Sequence, residues 1–192
     1  MNLQERIDSY SSKFPKFQPL YIANEKRIEG LWLLGNQYQT SGYYGAYPHG
    51  YLDRIEAIFP ELKSDETGIM HLFSGSLGEN RKGIKIDINP EKSDRPCDAH
   101  KLSEYFDVNS LDFVLADPPY SIEDAEHYGT PMVKRQVVFK EAIKVLRPGG
   151  HLIWLDQVLP NHSKDVVNWM LAIGIVKSTN HRVRAVFGFE KI

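Results

Sequence analysis

The run Asp117-Pro118-Pro119-Tyr120 has the residue types of a site that holds an amino group. It directly follows the apolar segment 111–116, and open parallel sheets bind their ligands at the carboxyl ends of their strands. Two successive prolines fix the backbone torsions, so we expect a rigid corner that aims the Asp117 carboxylate and nearby carbonyl groups at one point. The alternative is a structural turn followed by a surface tyrosine.

Methyl transfer to an amine is the chemistry that this corner suits. An exocyclic amine held there donates its hydrogens to Asp117 and to the Pro118 carbonyl group, which aligns its lone pair for attack on an electrophilic methyl group. The Tyr120 ring can stack on a flat base that carries the amine. We expect a direct displacement without a covalent intermediate, because the single cysteine, Cys97, does not lie where a nucleophile would.

Earlier in the chain, three features follow predicted strands. The run Phe73-Ser74-Gly75-Ser76-Leu77-Gly78 has glycines that let the backbone turn sharply and approach a ligand closely, although a plain tight turn is the alternative. Asp87 lies at the end of an alternating segment, where a carboxylate can accept hydrogen bonds from both ribose hydroxyls of a nucleoside. Asp98 is placed to contact a purine amino group. A solvated acid and a turn aspartate are the alternatives for these two residues.

Strands alternate with helices along the chain, which predicts an α/β, Rossmann-like fold with a largely parallel sheet. The predicted strands are 69–73, 84–88, a weak one near Cys97, 111–116, 151–155, and a final antiparallel hairpin of 175–179 and 184–189 around Asn180 and His181. Helices are predicted at 50–59, 136–146 and 166–173. About ten residues join Phe73 to Ile84, so the helices after the first two strands should be shortened. Residues 1–49 are predicted to be an N-terminal extension, and residues 50–192 the main domain.

Composition limits the function classes. The longest apolar runs are far below the ~20 residues of a membrane helix, so we expect no membrane partner. One cysteine excludes an internal disulfide and a cysteine-rich zinc site, and no metal is expected. Because the N-terminus also has no signal-peptide pattern, the expected location is cytoplasmic. The net charge of −2 allows only local basic faces for a nucleic acid. One candidate cluster is Lys134, Arg135, Lys140, Lys144 and Arg147, and a second is His181, Arg182 and Arg184, with solvated surface as the alternative for both.

In order, the runs Phe-Ser-Gly-Ser-Leu-Gly, Lys-Ile-Asp, Cys-Asp-Ala and Asp-Pro-Pro-Tyr resemble the motifs of class I S-adenosylmethionine-dependent methyltransferases. The form with Asp at position 117 is similar to DNA amino-methyltransferases, which modify adenine or cytosine. Relatives that act on RNA guanine or on glutamine side chains more often have Asn there. The run 146–152 looks like the segment before the fifth strand of that fold. The resemblance covers roughly residues 68–155 and implies a seven-stranded sheet.

The same resemblance implies S-adenosyl-L-methionine as the cofactor. It places Asp117, Pro118, Pro119 and Tyr120 at the reaction centre, with adenine in DNA as the expected acceptor. The cofactor would lie against Phe73, Ser74, Gly75, Ser76 and Gly78, with Asp87 and Ile88 at the ribose, Asp98 and Ala99 at the adenine, and Tyr47 and Pro48, within 44–50, at the methionine end.

Target recognition has no large segment of its own in this sequence. It would fall to the loop 121–134, to residues 1–51, or to a partner chain, either a second copy in a homodimer or a separate recognition subunit. Other acceptors stay open: RNA, a protein side-chain amide or a small molecule. An inactive methyltransferase-like binding subunit is a further alternative, and a dinucleotide-dependent oxidoreductase is the weakest, since it leaves the double proline unexplained.

Overall fold

The computed structural model describes residues 1–35, 47–78, 81–177 and 183–192. Its helices are α1 (Leu3–Lys13), α2 (Tyr51–Ile58), α3 (Leu102–Tyr105), α4 (Ile122–His127) and α5 (Arg135–Val145). The strands are β1 (Tyr21–Ala23), β2 (Arg27–Leu34), β3 (Ile69–Leu72), β4 (Ile84–Ile86), β5 (Leu111–Ala116), β6 (Leu146–Asp156), β7 (Val167–Lys177) and β8 (Val183–Lys191). Short 3-10 helices lie at Pro60–Lys63, Pro90–Lys92 and Ala99–Lys101.

All these strands form one sheet in the order β1-β2-β7-β8-β6-β5-β3-β4. The pairs β3/β4, β3/β5, β5/β6 and β2/β7 are parallel, whereas β8 runs antiparallel to both β6 and β7. The predicted α/β class, the largely parallel sheet and the C-terminal antiparallel hairpin are therefore confirmed. The turn predicted at Asn180 and His181 lies outside the described residues.

The N-terminal segment adds strands that the sequence did not predict. Helix α1 begins with a capping box, in which the Asn2 side chain accepts from the Glu5 N–H and the Glu5 carboxylate accepts from the Asn2 N–H. After it, β1 and β2 form an antiparallel pair, and β2 continues the sheet beside β7. The sheet in the described residues therefore has eight strands rather than the predicted seven.

Side chains of alternate residues in the central strands enter two separate cores. Phe113 and Leu115 of β5 pack with α1 and α2 on one face, while Val114 and Ala116 pack with α3 and α5 on the other. This alternation is the period of a strand that is buried on both faces. Helices on both faces of a mostly parallel sheet define a doubly wound fold, in which ligands bind at the carboxyl edge of the strands.

Two predicted elements are wrong. Residues 166–173 do not form a helix, because Leu171, Ile173 and Ile175 alternate with a period of two and are fully buried in β7. Gly174, which the prediction took as a helix end, instead gives Leu31 room: a Cβ there would lie 3.0 Å from the Leu31 Cδ1 atom. The weak strand near Cys97 is also absent from the described residues, where Cys97 makes one backbone hydrogen bond to the Asp87 carbonyl group.

Connectors after the first two parallel strands are short, as predicted. Between β3 and β4 the described residues contain no helix, and between β4 and β5 lie two 3-10 turns and the single turn α3. The backbone at the carboxyl edge of β3 and β4 therefore consists mainly of turns. Among the described helices, none has the length and apolar character needed to cross a membrane.

Two buried histidines make the stability of this core depend on pH. Burial lowers the pKa of both His71 and His151 to about 4, and the His151 ring stacks on Phe113 at 5.0 Å. The unfolded chain takes up these protons near pH 6.5, well before the folded protein does. We therefore expect the free energy of unfolding to fall by roughly 2 kcal/mol per histidine as pH drops from about 6.5 to about 4.5.

Urea unfolding at several pH values measures this effect. The variant His151→Phe keeps a ring against Phe113 but cannot take up a proton, so its stability should fall about half as steeply, with His71 still titrating. The same steepness in the variant and the natural protein would contradict the assignment.

Candidate active site

The corner at Asp117 begins beside the turn that follows β3. Leu72, the last residue of β3, is the register partner of Ala116, the last residue of β5. One residue further on, the Asp117 N–H donates to the Leu72 carbonyl oxygen at 3.3 Å. Parallel pairing therefore places the start of the double-proline run and the start of the glycine turn next to each other at the carboxyl edge of the sheet.

Tyr120 folds back onto the corner. Its hydroxyl donates a short hydrogen bond to the Asp117 carboxylate and accepts one from Arg184 Nη1 at 2.9 Å. The Arg184 guanidinium lies 4.2 Å from the centroid of the Tyr120 ring, within the range of a cation–π contact. Burial, together with the negative charge of Asp117, raises the pKa of Tyr120 well above its usual value. The phenol therefore stays neutral and acts as a hydrogen-bond donor to the carboxylate.

A buried ion pair holds the backbone of Tyr120 from the other side. Arg135, the first residue of α5, donates from Nη2 to the Tyr120 carbonyl oxygen at 2.8 Å and from Nε to Asp156 Oδ2 at 2.6 Å. Asp156 ends β6 and is completely buried, where it also accepts from the Trp154 indole N–H and the Gln157 N–H. The carboxylate is thus fully hydrogen-bonded, which is the condition for a stable buried charge.

A pair of tyrosines lies near the Asp117 carboxylate. The Tyr47 and Tyr51 rings stack with their centroids 5.3 Å apart, and the Pro48 carbonyl oxygen accepts from the Tyr51 N–H. Burial raises the pKa of both tyrosines well above the usual value, and the charge of Asp117 raises it further. The structure therefore brings Tyr47, predicted from the methionine-end segment, to the same part of the sheet edge as Asp117. Residues Tyr44 and Gly45 of that segment lie outside the described residues.

The turn after β3 has an unusual backbone. Phe73 and Gly75 both have positive φ values, 62° and 50°. The Ser74 N–H donates to the Ile86 carbonyl oxygen, and the Gly75 N–H donates to Asp87 Oδ2 at 3.3 Å. A left-handed conformation at Phe73 is strained for a residue with a side chain, so the surrounding hydrogen bonds have to hold it there. They fix the turn up to Gly78 against the end of β4.

Asp87 and Asp98 lie on the same connector, which joins β4 to β5. Asp87 Oδ1 accepts from the Asn89 N–H at 3.0 Å, and the Asp87 carbonyl oxygen accepts from the Cys97 N–H. Asp98 accepts from the backbone N–H of His100 at 2.9 Å and pairs with its ring. Burial acts to raise the pKa of Asp98, but the hydrogen bonds and charge of His100 outweigh it and lower the pKa. Of the neighbouring predicted residues, Ala99 is buried and Ile88 is exposed.

Two buried hydroxyl groups at this edge lack a protein partner. Among the described residues, neither the Tyr47 hydroxyl nor Ser76 Oγ makes a hydrogen bond. Buried polar groups almost always have a partner, so an unpaired hydroxyl indicates a place for a polar ligand group. Together with the turn 73–78 and the carboxylates of Asp87 and Asp98, these hydroxyls could hold the polar groups of a ligand. Ser74 Oγ, in contrast, already donates to the Lys92 carbonyl oxygen.

Sequence reasoning missed the residues that hold the corner in place. Asp156 carried a usable signal, because it directly follows a predicted strand, as Asp117 does. Arg135 was grouped with a basic cluster, and its inward contact could not be read from that pattern. Arg184 was likewise grouped with a basic cluster, and Tyr51 carried no signal, since the contacts of both depend on strand order and side-chain direction.

Several solved structures resemble this chain weakly. TrmN from Thermus thermophilus is 17% identical over 66% of this chain and 44% of its own, with a TM-score of 0.47. An rRNA methylase from Streptococcus thermophilus is 11% identical over 69% of this chain and 90% of its own, with a TM-score of 0.43. The putative methyltransferase SMU.1697c from Streptococcus mutans, in complex with SAH, is 12% identical over the same shares, with a TM-score of 0.45.

No protein-family model matches the chain, and no curated protein matches it in sequence. The chain spans less than half of the length of TrmN. The function is therefore inferred from the residues of the site.

Breaking the Arg135–Asp156 pair should destabilise the protein. Removing either partner by Arg135→Met or Asp156→Asn should lower the free energy of unfolding by about 3 kcal/mol, because it leaves a buried charge or donor without its partner. The double variant should lose at least ~1 kcal/mol less than the sum of the two single losses, since the groups interact directly. Urea unfolding of all four proteins gives the coupling, and additive losses would contradict the pairing.

Proposed function

We propose that this protein is an S-adenosylmethionine-dependent methyltransferase that modifies the exocyclic amine of a nucleic-acid base. One observation carries the proposal: the Asp117-Pro118-Pro119-Tyr120 corner begins beside the turn 73–78, and the Asp117 N–H bond to Leu72 joins them. An amine acceptor and the group that reacts with it have to meet within contact distance, and this edge brings the two candidate binding features together.

The turn 73–78 would hold the methionine part of the cofactor, with Ser76 Oγ and the Tyr47 hydroxyl as the partners of its polar groups. Asp87 would accept from the ribose hydroxyls and Asp98 from the adenine amino group. The Asp87 oxygens each already accept one backbone N–H, and a carboxylate oxygen has room for a second. When bound, S-adenosylmethionine supplies an electrophilic methyl group.

The corner residues would act on the amine. Asp117 and the Pro118 carbonyl oxygen accept its two hydrogens, so its lone pair points out of the plane of the base. The negative charge of Asp117 stabilises the positive charge that develops on the nitrogen. The surplus proton of the methylated amine would pass to Asp117, which already accepts one of its hydrogens. Tyr120 offers its ring for stacking, and such base–aromatic contacts contribute roughly 1–3 kcal/mol.

The ion pairs of the basic cluster bear on which class of acceptor the protein can bind. Two residues of the basic cluster form ion pairs, Lys144 with Glu141 and Arg147 with Asp112, and Arg135 pairs with the buried Asp156. A surface so compensated gives little attraction for a long run of phosphates. This favours a short single-stranded target over an extended duplex, and it also keeps the amine of a small molecule as a second candidate acceptor. DNA adenine remains the specific expectation from Asp117.

Replacing Asp117 tests the enzymatic proposal. Transfer of a labelled methyl group from S-adenosylmethionine to unmodified DNA and RNA should be seen with the natural protein. The Asp117→Ala variant should transfer at least ~100-fold more slowly, because it loses the acceptor of the amine hydrogens and the stabilising charge. Its cofactor affinity should stay within severalfold.

Separate outcomes of this assay have separate meanings. Label in RNA alone would exclude DNA as the acceptor and would support the proposed methyl transfer to a base. No label in either polymer, with the cofactor bound, would point to a small-molecule acceptor or to a missing recognition subunit. Absence of cofactor binding in the natural protein would overturn the proposal and favour the inactive binding subunit.

Cofactor binding is tested at Asp87. The Asp87→Ala variant should bind S-adenosylhomocysteine at least ~10-fold more weakly by calorimetry, because hydrogen bonds to a charged group contribute about 1.5–3 kcal/mol each. Glu91→Ala removes an exposed carboxylate four residues away and is the matched control, with unchanged affinity expected. Equal affinities of the two variants would contradict the assigned role of Asp87.

A further inference from the structure

Arg184 is a buried arginine that makes no direct ion pair in the described part of the chain. It lies in β8, where its register partner is Ile175, and only 9% of the residue is exposed. None of the ion pairs in the described part of the chain includes it. Its Nε atom is buried without a hydrogen-bond partner among those residues. A buried cation without a partner is costly, so its remaining contacts should have a function.

The side-chain contacts of Arg184 among the described residues run to Tyr120. Nη1 donates to the Tyr120 hydroxyl at 2.9 Å, and the guanidinium covers one face of the ring at 4.2 Å. The Tyr120 hydroxyl in turn donates to Asp117. The three side chains form a chain of carboxylate, phenol and guanidinium, in which the positive charge of Arg184 is balanced by Asp117 through the phenol.

We propose that Arg184 is a positioning residue that holds the Tyr120 hydroxyl against the Asp117 carboxylate and fixes the plane of the Tyr120 ring, so that the acceptor amine meets a carboxylate and a ring that are already oriented. The inference rests on the proposed function where it assigns the amine to Asp117. The contact itself stands on the geometry of the three side chains alone.

This arrangement orients the carboxylate before the amine arrives. The phenol donates to one oxygen of Asp117, and a carboxylate can accept further hydrogen bonds beside that one. Arg184 also leaves only the opposite face of the Tyr120 ring for a flat acceptor, which limits the planes in which a base can lie. The residue therefore acts on the acceptor through Tyr120 and needs no contact of its own with the reacting atoms.

Fluorine NMR of protein labelled with 3-fluorotyrosine measures the position of Tyr120 without any enzymatic assay. The Tyr120 resonance is identified by its absence from the spectrum of Tyr120→Phe. We expect this resonance to move by more than its line width in Arg184→Met, which loses the donor and the charge over the ring. Arg184→Lys keeps a positively charged donor, so its Tyr120 resonance should lie between those of Arg184→Met and the natural protein. The control Arg147→Met makes the same change at an exposed ion pair and should leave it in place.

Asp117→Asn provides a second test from the other end of the chain, for the case that Arg184→Met fails to fold. An asparagine keeps the shape of the side chain but removes the charge, so the Tyr120 resonance should move there too. A Tyr120 resonance at the same position in the natural protein, the Arg184 variants and Asp117→Asn would overturn the proposal.

The effect on the acceptor is tested with the acceptor found in the transfer assay. Adding this acceptor with S-adenosylhomocysteine should shift the Tyr120 resonance of the natural protein, because the base stacks on the face of the ring that Arg184 does not cover. An unmoved resonance with the acceptor bound would show that the acceptor does not lie on Tyr120 and would overturn the positioning role. If no acceptor takes the label, the proposed function fails, while the comparison of the variants still decides whether Arg184 holds Tyr120.

Discussion

Parallel pairing of β3 with β5 is the constraint on which the candidate site depends. Both strands end at the same level, and the Asp117 N–H bond to Leu72 carries the pairing one residue beyond the sheet. Beyond that level, β3 continues into a turn with positive φ values, and β5 continues into the double-proline corner. Neither feature alone forms a site, and a shift of register by one residue would separate them and reverse the faces of their side chains.

The corner is rigid because support reaches it from two more strands. The pair of Arg135 with Asp156 at the end of β6 fixes the Tyr120 carbonyl group, and Arg184 of β8 contacts its hydroxyl. Two prolines restrict the backbone, but the direction of the Tyr120 side chain is set by these distant charges. Preorganisation of this kind keeps donors and acceptors in place before a ligand arrives, which is how such sites lower a reaction barrier.

Much of the architecture could be predicted because local patterns and global fold agree. Segment 111–116 and the glycine turn after 69–72 have one dominant pattern each, and the structure follows it. The failure at 166–173 has a physical cause. An irregular register between Trp169 and Leu171 puts Met170 and Leu171 into the same core, and Ala172 packs in the other, so the sequence showed no strict alternation of apolar and polar residues. Arg184 could not be placed, because its contact to Tyr120 spans 64 residues and requires the strand order.

A crystal structure of the protein with S-adenosylhomocysteine tests the central claim most directly. The account predicts that the ligand lies along the turn 73–78, with its ribose hydroxyls on the Asp87 carboxylate and its sulfur atom facing the corner at Asp117. Such a position would put the missing methyl group in line with an amine held by Asp117 and Pro118. A ligand bound elsewhere, or one whose sulfur faces away from Asp117, would contradict the assignment of this sheet edge as the site of methyl transfer.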